Sequence, residues 1–228
     1  MVSDYLLPDL ELIVMSRLAR FFGMEDATEA GFRLAKILAI VLPLFAATFQ
    51  ISTTFWIIFI SESLGHGNYF DGLVFVGILT VIQFGVQIAL DYPTGALGDH
   101  IGQRYVIASA LLCYAAVYGL TAQLTFDTPF WVYVIIFALN GLGASQESGA
   151  FHAWFDNNYR VAMPHDEDRK QYGVFWGKIG MLWQLSATLV LIPGSILATI
   201  FLRETVFIIQ AMSCVFLAVV VMIVIKDL

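Results

Sequence analysis

Long apolar runs, separated by short charged segments, make up most of the chain. Six windows contain no Asp, Glu, Lys or Arg, and each is 19 to 25 residues long. A helix needs about 20 predominantly apolar residues to cross roughly 30 Å of hydrocarbon. The pattern therefore predicts six membrane-spanning helices. They cover 37–61, 72–90, 105–126, 128–146, 179–202 and 205–225.

The composition agrees with this pattern. The chain is 59% hydrophobic and 13% charged, and its mean hydropathy is +0.81. A soluble domain is about half apolar and about a quarter charged, so the composition indicates a membrane protein. The net charge of −7, without a basic stripe, argues against nucleic acid as a partner. Cys113 and Cys214 both lie in apolar runs, so no disulfide framework is expected.

Basic residues are distributed unevenly between the two sides of the predicted bundle. Ten of the eleven Lys and Arg residues fall on the side that holds both termini and the loops after the second and fourth spans. Only Arg203 falls on the opposite side. The positive-inside rule then predicts a multi-pass protein of the cell inner (plasma) membrane with both termini in the cytoplasm.

The predicted spans divide the chain into four parts. Before the first span, Leu10, Val14, Leu18 and Phe21 recur at helical spacing, which predicts a short amphipathic helix on the membrane, either a passive anchor or a docking segment. Pro43 permits a kink in the first span. The four parts are a cytoplasmic amphipathic segment (1–35), helices one to four (36–156), a charged cytoplasmic linker (157–172), and helices five and six with a short tail (173–228).

A glycine-punctuated, charged segment lies between the second and third spans. It reads GALGDHIGQR over residues 95–104. Glycine supplies the backbone freedom and close approach that a tight turn needs. Asp99, just ahead of the helix expected to begin near Tyr105, can sit at a positive helix end. The segment predicts a loop that acts as a mechanical joint.

At these residues the chain resembles the major facilitator superfamily of transporters. The family's loop between its second and third helices has Gly, three residues, Asp, a basic residue, any residue, Gly and two basic residues. Gly95, Asp99, Gly102 and Arg104 match that pattern. The upstream run from Asp91 to Gly95 also resembles an acidic-x-Pro-Thr-Gly run that precedes the loop in the family. The resemblance implies that these residues, with Asp91, form a gating loop.

The chain also departs from the family pattern. His100 and Gln103 stand where the family has basic residues, and Phe137 stands where an arginine often precedes a Gly-x-Gly on the fourth helix. A whole transporter has two six-helix bundles with the solute cavity between them. The resemblance covers the N-terminal bundle, so it implies an all-α membrane fold of two three-helix inverted repeats. It also implies a second six-helix bundle as partner, either another copy or a separate half.

The resemblance further implies that the first, second, fourth and fifth helices line a solute cavity. The polar residues of the spans concentrate on the same helices, and polar groups within a membrane face protein or water. The stripe of Gln83, Gln87 and Asp91 fits a cavity lining and fits interhelical contact equally. The predicted solute contacts are Gln50, Trp56, Gln83, Gln87, Asn140, Glu147, Trp183 and Gln184.

The sequence thus predicts transport of a small solute by alternating access, in a lipid bilayer and without cofactor or metal. A non-transporting membrane scaffold or regulatory subunit is the alternative. Ser148, His152 and Asp156 are spaced by four and nominally match a hydrolase triad. Nothing nearby resembles the nucleophile elbow or the oxyanion hole that a triad needs, so we expect no catalytic residues.

Overall fold

The computed structural model describes residues 17, 18, 20–24 and 28–226. The fold is all-helical, with 84% helix and no strand in the part described. Seven helices follow residue 28 in that part. They are α1 (Glu29–Gln50), α2 (Trp56–Leu64), α3 (Tyr69–Ile101), α4 (Gln103–Thr121), α5 (Phe130–Ala162), α6 (Lys170–Ile200) and α7 (Arg203–Val224).

Five of these helices, α1, α3, α4, α6 and α7, are long and apolar enough to cross a membrane. They indicate a membrane protein, as the composition does. The fourth predicted span, 128–146, corresponds to the first half of α5, which begins at Phe130 and is a helix of 33 residues that is long enough but less apolar. Its polar residues from Asn140 to Glu147 dilute the apolar stretch at its start. The fourth span therefore stays a prediction.

The first predicted span is interrupted rather than continuous. α1 ends at Gln50, residues 51–55 form turns, and α2 begins at Trp56. The sequence suggested an irregularity at Pro43, but α1 continues through that residue. The interruption lies two turns further along the chain.

The side chain of Gln210 on α7 stabilises this interruption. The backbone N–H of Thr53 donates to the carbonyl of Gln50 instead of that of Phe49. The buried Gln210 of α7 supplies donors there, since its amide nitrogen lies 2.7 Å from the carbonyl oxygen of Thr48 and 3.4 Å from that of Phe49. Buried backbone groups need such partners, because an unpaired carbonyl in an apolar interior is costly.

The helices pack in two layers. α6, α1, α5 and α3 follow one another in a row, which we call the front row, and α4 and α7 pack against each other behind it. Only 11% of the most apolar stretch of α3, and the same share of α6, is buried, against 50% in α4 and 39% in α7. The single chain therefore leaves the two outer helices of the front row largely uncovered.

One end of the bundle, which we call the basic end, holds the α3–α4 turn, residues 163–169 and the end of α7. The Thr28 hydroxyl donates to the carbonyl of Ala162 at 2.7 Å, and the Trp154 indole donates to the carbonyl of Lys226 at 3.1 Å. These contacts join the start of α1 and the chain after α7 to the end of α5.

Residues 1–16, 19 and 25–27 of the predicted N-terminal amphipathic segment, and with them Leu10 and Val14, lie outside the described residues. Of its apolar positions, Leu18 and Phe21 are described and helical. The adjacent Phe22 is fully buried and stacks on Phe175 of α6, with ring centroids 4.8 Å apart. This part of the segment packs against the bundle.

The predicted charged linker, 157–172, is largely helical at its two ends. α5 continues to Ala162 and α6 begins at Lys170, so only residues 163–169 connect them. Asp166 organises this connection. Its carboxylate accepts hydrogen bonds from the Tyr159 hydroxyl at 2.7 Å and from the backbone N–H groups of Gln171 and Tyr172 at 3.2 and 2.9 Å. Asp166 thereby caps the first turn of α6.

Candidate functional site

A cavity of about 210 Å³ lies between α1, α5 and α6 of the front row. Aromatic and aliphatic side chains form most of its wall, and one carboxylate faces into it. We call it the Glu147 cavity. Its lining residues are Leu42, Phe45, Glu147, Phe151, His152, Trp176, Ile179, Gly180 and Trp183.

Helical spacing brings these residues together. Glu147 and Phe151 are four residues apart on α5, and Trp176 and Trp183 are seven apart on α6, so each pair lies along one stripe of its helix. Between the two tryptophans, Gly180 has open space where a side chain would begin, with no atom within 4 Å of an added Cβ. The cavity is the space left beside this glycine.

The Glu147 carboxyl group, half-buried in the wall, has polar neighbours but no cationic lysine or arginine. It lies close to the Tyr114 hydroxyl of α4 and to the imidazole of His152. Lys178 lies between the cavity residues Trp176 and Ile179 in sequence, but its ammonium group lies 5.2 Å from the ring centre of Phe21. In the described chain, Glu147 forms no salt bridge.

The His152 ring is held by two contacts. Its Nδ1 lies 2.7 Å from the carbonyl oxygen of Ser148, and its ring lies 4.8 Å from that of Trp176. A carbonyl only accepts hydrogen bonds, so Nδ1 is the protonated nitrogen, an assignment made from the geometry of the contact. This contact orients His152 at the rim of the cavity.

Two of the predicted solute contacts, Gln83 and Asn140, form a hydrogen bond with each other. The Asn140 amide nitrogen donates to the Gln83 amide oxygen at 3.1 Å, which joins α5 to α3. Gly141 permits this approach, because an added Cβ there would lie 2.3 Å from the backbone oxygen of Gln83. The interhelical contact left open by the sequence is thus present, and neither residue lines the Glu147 cavity.

The other predicted solute contacts are dispersed. Trp56 stacks on Phe137, with ring centroids 5.4 Å apart, in a separate apolar cluster. Gln184 is exposed and lies 3.5 Å from the Thr188 hydroxyl. Of the eight predicted contacts, the structure places only Glu147 and Trp183 in the cavity. The remaining six, Gln50, Trp56, Gln83, Gln87, Asn140 and Gln184, lie outside its lining.

The predicted gating loop over 95–104 is wrong in extent. α3 continues through Ile101, and Gly102 alone separates it from α4. Gly102 has a φ of 101°, which favours glycine because a side chain is strained there. The charged composition suggested a loop, but the backbone of residues 95–101 completes its hydrogen bonds as helix.

The side chains around the Gly102 turn make local contacts that the predicted gating role did not include. Asp99 accepts a hydrogen bond from the Gln103 amide nitrogen at 3.1 Å, across the turn. Gln103, which the sequence marked only as a departure from the family pattern, is buried over Gly98. Arg104 donates to the Tyr105 hydroxyl at 2.9 Å. The predicted gating residue Asp91 is exposed on α3.

The nominal triad residues point to other partners. His152 contacts the main-chain carbonyl of Ser148. Asp156 forms salt bridges with Arg160 and Arg169, both at 2.9 Å. The carboxylate is thus engaged at the basic end by two guanidinium groups.

Sequence reasoning missed most of the cavity's aromatic wall. Phe45, Phe151 and Trp176 were not singled out. The pair Trp176 and Trp183, two helical turns apart, was a signal that could have found the α6 side. Phe45 lies on another helix and carried no comparable signal.

Comparisons with protein-family models, with curated proteins and with solved structures find no match to this chain.

Proposed function

We propose that this chain transports a small solute by alternating access, as a six-helix bundle of the major facilitator type that assembles with a second bundle. The second bundle is another copy of the chain or a separate half. Polar side chains exposed within the front row carry this proposal. Gln184 and Thr188 are exposed within α6, and Thr54 is exposed at the interruption of the first span.

These groups are costly in hydrocarbon. A polar side chain at membrane depth faces protein or water rather than lipid tails. Gln184 follows the cavity residue Gly180 by one helical turn, so both lie on one stripe of α6. A second bundle that encloses water against the front row provides the environment that these side chains require.

The order of helix contacts also supports the proposal. α1 contacts α6 and α5 contacts α3, while α4 contacts α7. In chain order, α1, α3, α4, α5, α6 and α7 correspond to spans one to six, so span one contacts span five, span two contacts span four, and span three contacts span six. If spans one, two and three are exchanged with spans four, five and six, the one–five contact becomes the four–two contact and the reverse. The three–six contact stays the same. Two inverted three-helix repeats produce this pattern.

Thiol labelling tests whether water reaches the front row. Gln184→Cys places a thiol on α6, and Met212→Cys places one on α7, where Met212 is 68% exposed on the back layer. In native membranes we expect a polar, membrane-permeant maleimide to label the Gln184→Cys variant well above the wild-type background. The Met212→Cys variant should stay at that background, because a thiol surrounded by lipid stays protonated and unreactive.

The native mass of gently extracted protein tests the second bundle. A species of about twice the 25.3 kDa chain supports a homodimer, and a larger heteromer supports a separate half. A monomer in which Gln184→Cys labels no better than Met212→Cys would overturn the proposal and favour the scaffold alternative.

A further inference from the structure

The Glu147 cavity combines a single acid with an aromatic wall. Phe45, Phe151, Trp176 and Trp183 are four of its nine lining residues. Aromatic rings carry a negative face and a positive edge. A cation that meets these rings at their faces is attracted by the wall as well as by the carboxylate.

His152 is the only basic side chain in the described lining of the cavity. The wall holds no lysine or arginine, and Arg160 and Arg169 are engaged with Asp156 elsewhere. His152 directs its Nδ1 at the main-chain carbonyl of Ser148. An ionised carboxylate in such surroundings favours a positively charged ligand over a neutral or anionic one.

The chemistry of the wall selects among cations. Calcium and magnesium need several oxygen ligands, whereas the cavity offers one carboxylate, and no group of three metal-binding side chains occurs in the described residues. Alkylated ammonium groups are weakly hydrated and bind the faces of aromatic rings, tryptophan most strongly. The volume of about 210 Å³ is below the ~300–1,000 Å³ of pockets for drug-sized ligands. A small organic cation fits both properties.

We propose that the Glu147 cavity binds a small monovalent organic cation of the alkylammonium class. Glu147 supplies the countercharge, and Trp176 and Trp183 supply the aromatic faces. The inference rests on the proposed function in that it names the class of solute that the assembled protein carries. Binding itself requires only the cavity.

Choline is the probe, measured by calorimetry on the full-length protein in lipid nanodiscs. Its neutral analogue, with carbon in place of the nitrogen, is the ligand control. We expect saturable choline binding, and at least about tenfold weaker binding of the analogue. The variant Glu147→Gln keeps the size of the side chain and should lose at least about tenfold in choline affinity.

A matched variant controls for loss of one negative charge. Glu204→Gln makes the same change in the first turn of α7, outside the cavity lining, and should bind choline as the wild type does. Helical content and native mass confirm that each variant is folded. If Glu147→Gln, properly folded, binds choline as tightly as Glu204→Gln, the cation site is wrong. Equal affinity for choline and the neutral analogue would overturn it also.

Uptake of labelled choline into proteoliposomes separates this inference from the proposed function. Binding that depends on Glu147, without uptake by the assembled protein, would support the cation site and count against transport. An assembled protein whose front row labels with the polar maleimide, but which binds no choline, would keep the transport proposal and overturn the cation site.

Discussion

Two polar regions on α5 show how differently the same helix uses its polar residues. Asn140 and Glu147 are seven residues apart, or about two helical turns. Asn140 is bonded to Gln83 of α3, whereas Glu147 faces a cavity against α1 and α6. The sequence predicted one role, solute contact, for both. The structure separates an interhelical link from an open site.

Neighbouring glycines account for the difference. Gly141 removes a side chain where α3 and α5 meet, so that the two backbones come into contact and the amides bond. Gly180 removes a side chain where no neighbouring helix fills the space, so that a cavity remains. A small residue in a membrane helix therefore indicates either close packing or open volume, and only the neighbouring helix decides which.

The largest expected effect tests the two glycines directly. Gly141→Ala places a Cβ 2.3 Å from the backbone oxygen of Gln83, which cannot move as a side chain could. We expect the free energy of unfolding to fall by about 1–3 kcal/mol. Gly180→Ala meets no atom within 4 Å and should leave it unchanged or slightly higher. Thermal unfolding in detergent measures both, and equal losses would remove the contrast.

Two tryptophan variants, one inside the cavity and one outside it, test the comparison through their choline affinity. Trp183→Leu removes an aromatic face from the cavity and should weaken choline binding about tenfold, within the range of cation–π energies. Trp56→Leu changes a ring that packs on Phe137 outside the cavity and should leave choline affinity unchanged. The same calorimetry compares the two variants. A greater loss in Trp56→Leu would restore that residue as a solute contact.

The third prediction concerns Asp166, which lies at the basic end, outside the spans and outside the lining of the Glu147 cavity. A change there should affect the stability of the fold and its dependence on pH. Burial acts to raise the pKa of Asp166, but hydrogen bonds from Tyr159 and from the backbone amides of residues 170–172 outweigh it and lower the pKa. A carboxyl group with a lowered folded-state pKa stabilises the fold above its unfolded value of about 3.9. That contribution is lost as the pH falls from there through the lowered pKa.

Replacement of Asp166 should remove this pH dependence. At neutral pH, Asp166→Asn should lower the free energy of unfolding by about 1 kcal/mol, the usual loss for a helix cap. Its stability should then fall less than that of the wild type as the pH is lowered to about 3. Glu167→Gln, at an exposed neighbour, is the control. Parallel acid profiles for the wild type and Asp166→Asn would contradict the assignment.

The smallest expected effect concerns the interhelical link. Gln83→Leu and Asn140→Leu together remove the hydrogen bond between α3 and α5. A double-mutant cycle should give a coupling of about 0.6 kcal/mol, the average for polar contacts between membrane helices. Choline affinity should not change in either variant. A loss of choline affinity comparable to that of Glu147→Gln would place the pair in the solute path and end the contrast with the cavity.

The apolar pattern predicted where most helices lie. The windows 105–126 and 205–225 correspond to helices α4 (Gln103–Thr121) and α7 (Arg203–Val224). Their ends agree within a few residues because a run of apolar side chains favours helix locally and ends where charges begin. The same rule failed at 95–101, where charged residues continue a helix to Gly102. Charge indicates exposure to water, and a helix can continue into water.

The candidate site was predictable only in its two most distinctive members, Glu147 and Trp183. An acid and a tryptophan within apolar runs are unusual enough to be noticed in one sequence. Phe45 looks like any other core phenylalanine until α1 places it against them. The interruption at 51–55 likewise depends on Gln210 of α7, far along the chain.

The sequence by itself therefore determined an all-helical chain with long apolar helices. The hydropathy and the length of an apolar run depend only on residues that are consecutive in the chain. Only the tertiary structure decided that Gln83 pairs with Asn140, and that the first span is interrupted. It alone placed the aromatic wall around Glu147. Each of these features is a contact between residues distant in sequence, and its energy depends on which helix lies opposite and how closely the two backbones approach.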